Sequence, residues 1–298
     1  MKTPLLSSPR AAVRGLLGAA ALSAGCATTG LEGAGPPAQA PSSAPAVAQA
    51  ARADPRQALI RQGEEAFAQR SDPAQLERAL AAWRDALALG DSPELRLRLA
   101  RAEHFAGQGL AGASRKEHFE RGADQARRAA RLLTAKELDD PCRGDSAAKL
   151  AAPALYWLAE NLDAYSREVG LLASAKERRQ AMCLARQVAE AEPGYFHAGP
   201  LRLLGRLLAQ APTNLGGDAK ASRAAFERAV AISPEFLANR VDLAATVAVK
   251  LQDVASFEAA LSQVLEASAG QSPEIAPENS LAKRRAERLK GEQGALFR

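Results

Sequence analysis

The side chains in this chain that could do nucleophilic or metal chemistry are few: Cys26, Cys142 and Cys183, and the histidines His104, His118 and His197. The histidines are scattered, with no HExxH spacing and no cysteine cluster beside them, so no metal-ligand set is expected. Asp139-Asp140 places two carboxylates together, but they adjoin Pro141 in a turn-rich run and read as a solvated loop. GxSxG, Walker and dinucleotide-binding patterns are absent. Gly216-Gly217-Asp218 could offer an amide nest to an anion at a helix start. With no catalytic lysine nearby, it reads better as a tight turn with an aspartate cap. The residues give no enzyme constellation and no cofactor site.

The thiols suggest other chemistry. Cys26 closes an apolar N-terminal run, Gly15 to Gly25, preceded by Lys2, Arg10 and Arg14 without any acidic residue. This is the charged-then-apolar layout of a cleaved signal, too short to cross a bilayer as a helix. Ala24-Gly25-Cys26 resembles a bacterial lipobox, with Leu22 one position further from the cysteine than is usual. The resemblance implies a signal peptide over residues 1–25 and lipidation of Cys26. Ala27 after the cysteine implies sorting to the outer membrane, with the chain facing the periplasm. An ordinary secretory signal with an incidental cysteine is the alternative. Cys142 and Cys183 could then pair in an oxidising compartment. Cys142 lies in a turn-rich run, and Cys183 falls roughly opposite the centre of the helical stripe Ala181, Met182, Ala185, Val188 and Ala189. Two unpaired, small buried residues remain the other reading.

Composition excludes more. Removing the three basic signal residues brings the 39 Lys and Arg of the full chain close to its 34 Asp and Glu, so nucleic-acid binding is not expected. Aromatics are only 4%, and alanine is abundant, which suits close helix packing. Residues 26–53 are built from Ala, Pro, Gly, Ser and Gln and should act as a flexible tether.

From Pro55 onward the apolar period is helical almost everywhere, so residues 54–298 are expected to form one all-helical domain. Leu59, Ile60, Gly63, Ala66 and Phe67 share one face, and Asp72-Pro73 starts the next helix. Ser92-Pro93 opens another, in which Leu95-Arg96-Leu97-Arg98-Leu99 alternates like a strand but continues the helical period through Ala102 and Ala106. Gly107-Gln108-Gly109 should break that helix. Further helices follow from about Lys116 to Ala135, from near Pro153, after Asp218, from Phe236 to Leu251, after Asp253 and from near Asn279. Ten or eleven helices in antiparallel hairpins predict an all-α solenoid.

Trp83-x2-Ala86 before Ser92-Pro93, and Phe226-x2-Ala229 before Pro234, resemble the second helix of a tetratricopeptide (TPR) repeat, without a strict repeat length. Such a stack leaves a concave surface or channel. The stretch Glu192-Pro193-Gly194-Tyr195-Phe196-His197-Ala198-Gly199-Pro200-Leu201-Arg202, with Ala211-Pro212, Gly216-Gly217-Asp218, Phe226-Glu227-Arg228-Ala229 and the ending Glu278-Asn279-Ser280-Leu281, is similar to the T-component (TatT) family of TRAP transporters. Ala198 stands where that family usually has a second glycine. The resemblance implies a non-catalytic, TPR-like periplasmic lipoprotein that associates with the substrate-binding P component of a tripartite ATP-independent periplasmic transporter. It also implies trimers with apolar-lined pores and a small apolar or carboxylate-bearing ligand. Tyr195, Phe196, His197 and Arg202 form the densest aromatic and polar group and are candidates for a ligand path. Asn279 is a further candidate, with capping of the last helix as its other role. The repeats alone would also fit a general scaffold for protein interaction in outer-membrane assembly or secretion.

Overall fold

Proline and aspartate set the helix starts. The computed structural model describes residues 54–109, 113–134, 149–170, 173–270 and 272–297. The signal, tether and lipidation expectations at residues 1–53, and Cys142, lie outside these. Asp54 accepts from Arg56 N and Asp72 from Ala74 N, each with proline next in line. The aspartate satisfies an amide that the first turn leaves free, and the proline has no amide to lose there.

Helices α1 (Pro55–Ala68) and α2 (Pro73–Leu89) form the first hairpin around Phe67, Leu76, Leu80 and Trp83. Helices α3 (Pro93–Gly109) and α4 (Ala113–Thr134) form the second. Helix α3 ends at Gly109, within the glycine pair expected to break it, and Gly107 lies in its last turn. Gly107 serves packing, because a Cβ there would sit 2.5 Å from Phe119 Cε1. The glycine sacrifices about 1 kcal/mol of helix propensity and lets a ring of α4 lie against the backbone of α3.

Helices α5 (Ala152–Val169) and α6 (Ala175–Ala191) follow. Then come α7 (Tyr195–Gln210), a 3-10 turn at Thr213–Leu215, and α8 (Ala219–Ile232). Asp218 accepts from Ala221 N at 2.9 Å, and Gly216 has φ +86°, so the glycine pair forms the turn and the aspartate the cap. The helix expected from Phe236 to Leu251 runs over residues 238–250 but is irregular: α9 (Ala238–Leu243) widens into a π segment at Ala244–Ala248. Helix α10 (Val254–Glu266) is capped by Asp253. The last long helix, α11 (Ala276–Gly291), begins ahead of Asn279 with Pro277 in its first turn, and a short α12 (Gln293–Leu296) ends the described chain.

The described residues contain no strand. Each helix packs on its chain neighbour, while α3, α5, α7, α9 and α11 also contact one another in succession. These odd-numbered helices therefore make the inner wall of an all-α, TPR-like solenoid, and the even-numbered ones its outer layer. No helix among the described residues is long and apolar enough to cross a membrane.

Candidate functional site

Helix α5 is buried around most of its circumference from Ala152 to Ala164. A helix enclosed on all sides must find protein partners for any polar group it carries, and α5 carries Glu160, Asn161 and Asp163. Helix α7 supplies those of the two carboxylates through two arginines one turn apart. Arg206 donates to Glu160 at 2.8 Å, to Asp163 at 3.1 Å and to Asp242 of α9 at 2.8 Å. Arg202 donates to Tyr156 Oη at 3.0 Å and stands 3.4 Å from Asp242 and 3.6 Å from Glu160. Arg285 of α11 also bonds Asp242, and Arg167 bonds Asp163. The network thus joins four inner helices.

Its titration follows from these partners. Burial pushes the Glu160 carboxyl up, but Arg206, Arg202 and His104 outweigh this and hold it at about 2. Asp242 is likewise penalised by burial yet kept well below the ordinary carboxylate range, chiefly by Arg285 and Arg206. Burial disfavours the charge on Arg206, and the facing carboxylates more than restore it. At neutral pH Glu160, Asp242 and Arg206, at the floor of the site, are therefore charged and paired with one another.

His104 borders this floor. Burial lowers it to about 4 although Glu160 lies 3.7 Å away. Its hydrogen bonds agree with a neutral ring: Asn161 spends its amide hydrogens on Trp157 O and Ala100 O, leaving Oδ1 to accept from His104 Nδ1 at 3.3 Å. His104 Nε2 then accepts from Gln108 Nε2 at 2.8 Å.

Above the network lies a cavity of about 560 Å³, within the range of small-molecule sites. Arginines dominate its polar wall: Arg101, Arg202, Arg206, Arg284, Arg285 and Arg288. The carboxylates on that wall, Glu160, Asp242 and Glu278, are all taken up in ion pairs. Arg284 and Arg288 are exposed and have no ion-pair partner among the described residues. The balance is positive. The apolar part is mostly aromatic, formed by Phe105, Tyr156, Trp157, Phe196 and Phe236. The wall is therefore mixed, arginine on one part and aromatic rings on the other.

Phe196 reaches the cavity through a strained turn. Phe196, His197 and Ala198 have φ of +43°, +55° and +60°, a short left-handed stretch that costs roughly 1–2 kcal/mol per residue without glycine. Aromatic packing offsets this: the Phe196 centroid lies 4.7 Å from Trp157 and 5.7 Å from Phe236, and the His197 ring stacks on Phe236 at 5.0 Å. Asn239 fastens the turn, the two hydrogens of its Nδ2 being shared among His197 O, Ala229 O and Ser233 O. Gly199 then lets α7 approach α5, since a Cβ would fall 2.5 Å from Tyr156 Oη.

Of the residues singled out from sequence, Phe196 and Arg202 are on the cavity wall. Tyr195 packs edge-on against Tyr156 and accepts from Trp157 Nε1 at 3.2 Å. His197 lies 3.3 Å from Glu235. Asn279 is not a cap: its Oδ1 accepts from Leu237 N and its Nδ2 donates to Glu235 O, tying α11 to the turn before α9. Cys183 is half-buried on α6, 4.0 Å from Gln187 Nε2. Glu160, Asp163, Arg206, Asp242 and Glu278 were not anticipated. The one available signal was a run of acidic and amide groups inside the apolar α5 pattern. Among the described residues no group of His, Cys, Asp and Glu could hold a metal ion.

A family model described as the TRAP transporter T-component matches residues 84–297. The chain belongs to this family. The matched span holds every helix from α3 onward, and so the whole wall of the T-component cavity. A solved structure, the crystal structure of a thermophilic TPR protein in Thermus thermophilus, is similar over 79% of this chain and 99% of that one, at 19% identity and a TM-score of 0.49. No curated protein sequence matches the chain.

Proposed function

We propose that this T-component is a lipid-anchored, periplasm-facing accessory subunit of a TRAP transporter. It binds a small organic anion in its central cavity and docks on the substrate-binding P component. The observation that carries the reading is the family match over residues 84–297, the stretch that builds a cavity walled by surplus arginine. Guanidinium groups pair a carboxylate through two parallel hydrogen bonds, and the adjoining rings of Trp157, Phe196 and Phe236 suit the carbon body of such an acid. The lipobox-like Ala24-Gly25-Cys26 and the tether to residue 53 support an anchor that keeps the body near its partner, where local concentration substitutes for affinity.

Crosslinking in native membranes tests the docking. Recovery of a periplasmic solute-binding protein is the expected result, and repeated recovery of outer-membrane assembly factors alone would refute it. For the ligand, mass spectrometry of material released from the purified protein should find an acid, depleted in an Arg284→Ser, Arg288→Ser double variant.

A further inference from the structure

The solenoid closes on itself. Arg70, in the turn between α1 and α2, is 4% exposed and grips α11: its Nε and Nη2 donate to Glu278 at 3.2 and 2.5 Å, and Nη2 also donates to Glu274 O at 2.5 Å. Arg101 of α3 donates to the same Glu278 carboxylate at 3.1 Å. Phe67 stabilises both cations, with the guanidinium carbons of Arg70 and Arg101 at 4.6 and 5.1 Å from its ring centre. These bonds span 177 to 208 residues. The closely packed helix pairs, by contrast, are neighbours or next-but-one in the chain.

We propose that the Arg70–Glu278–Arg101 seam is a lateral gate to the central cavity. Both its edges belong to the cavity wall: Arg101 and Phe105 on one side, Glu278, Leu281 and Ala282 on the other. Elsewhere around the ring, opening would separate packed helices and expose apolar surface. At the seam it separates charged groups that regain hydration on parting, so this is where the ring opens at least cost. Arg101 also lies over Phe196, 4.9 Å from its centroid, so the moving edge touches the strained turn of α7. Entry through the seam would admit a ligand without unstacking any repeat.

The test compares wild type with Glu278→Gln and, as a milder change that keeps the charge but loses the planar fork, Arg70→Lys. Hydrogen exchange should quicken by about tenfold or more in Glu278→Gln, at residues 67–70 and 274–278 together, while α5 and α7 keep their protection. Association of anilinonaphthalenesulfonate, an aromatic anion used as the probe, should accelerate in parallel, with Arg70→Lys intermediate. Unchanged exchange at the seam overturns the proposal, as does faster exchange with an unchanged association rate. If Glu278→Gln does not fold by circular dichroism, Arg70→Lys is held to the same criteria. The gate uses the cavity as its destination but not the anion reading: a probe that never binds counts against the anion site, while the exchange result still decides whether the seam opens.

Discussion

Mild acid should destabilise this protein through His104 before its buried carboxylates take up protons. The ring is held at about 4 by burial, against an ordinary value of 6.5, with Glu160, Arg167, Arg206 and Asn161 as its electrostatic neighbours. As the pH falls from 6.5 towards 4 the unfolded chain gains a proton that the native state refuses, so stability is full above 6.5 and declines through that window. At about 1.4 kcal/mol per unit the whole displacement amounts to roughly 3 kcal/mol. Glu160 works in another range: its carboxyl, held at about 2, contributes stability above its ordinary 4.5 that is lost only as the pH falls through the lower value. Urea unfolding at about pH 7 and about pH 5 should show wild type losing roughly 2 kcal/mol, and His104→Gln, which keeps an amide for Asn161 and Gln108 but does not titrate, losing that much less. Equal losses in the two proteins would refute the reasoning.

Other perturbations test the packing, the charge network and the anchor. Gly63→Ala would bring a methyl within 2.3 Å of Trp83 Nε1 and should cost about 1–3 kcal/mol, read as a lowered urea midpoint with unchanged helix content. Arg206→Met removes the guanidinium shared by Glu160, Asp163 and Asp242, leaving them only Arg202, Arg167 and Arg285, and should cost up to roughly 3–5 kcal/mol, with the loss reduced when Asp163→Asn is added. Cys26→Ala should move the protein from the membrane fraction to the soluble one with its circular dichroism unaltered; continued sedimentation with membranes would argue against a lipid at that residue.

Local chemistry was legible in the sequence, and distant geometry was not. Asp72, Asp218 and Asp253 announced their helices because a cap acts on amides two or three residues away. Leu95 to Leu99 was recoverable as helix because the period continued beyond it. Gly107-Gln108-Gly109 marked the end of α3, but not that Gly107 also admits a ring from another helix, since a glycine in that role looks the same in sequence as one that ends a helix. The π segment after α9 left no mark in the apolar period. The arginine-rich cavity was hidden for a different reason: Glu160, Arg206, Asp242 and Arg285 meet across the stack, and their identities at helical spacing fit a solvated face equally well. At Tyr195-Phe196-His197 the density of rings was visible, but not the left-handed turn that sends Phe196 into the cavity and leaves Tyr195 behind it.

The junction of Arg70 with Glu278 also bears on how such a protein can change in evolution. An open solenoid lengthens or shortens by whole hairpins, because each unit needs only its neighbours and the ends need only polar caps. Here the two ends cap each other, and an added or deleted hairpin would carry Glu278 out of reach of Arg70 and Arg101. Closure therefore fixes the number of repeats and leaves the outward-facing loops as the places where insertions can accumulate.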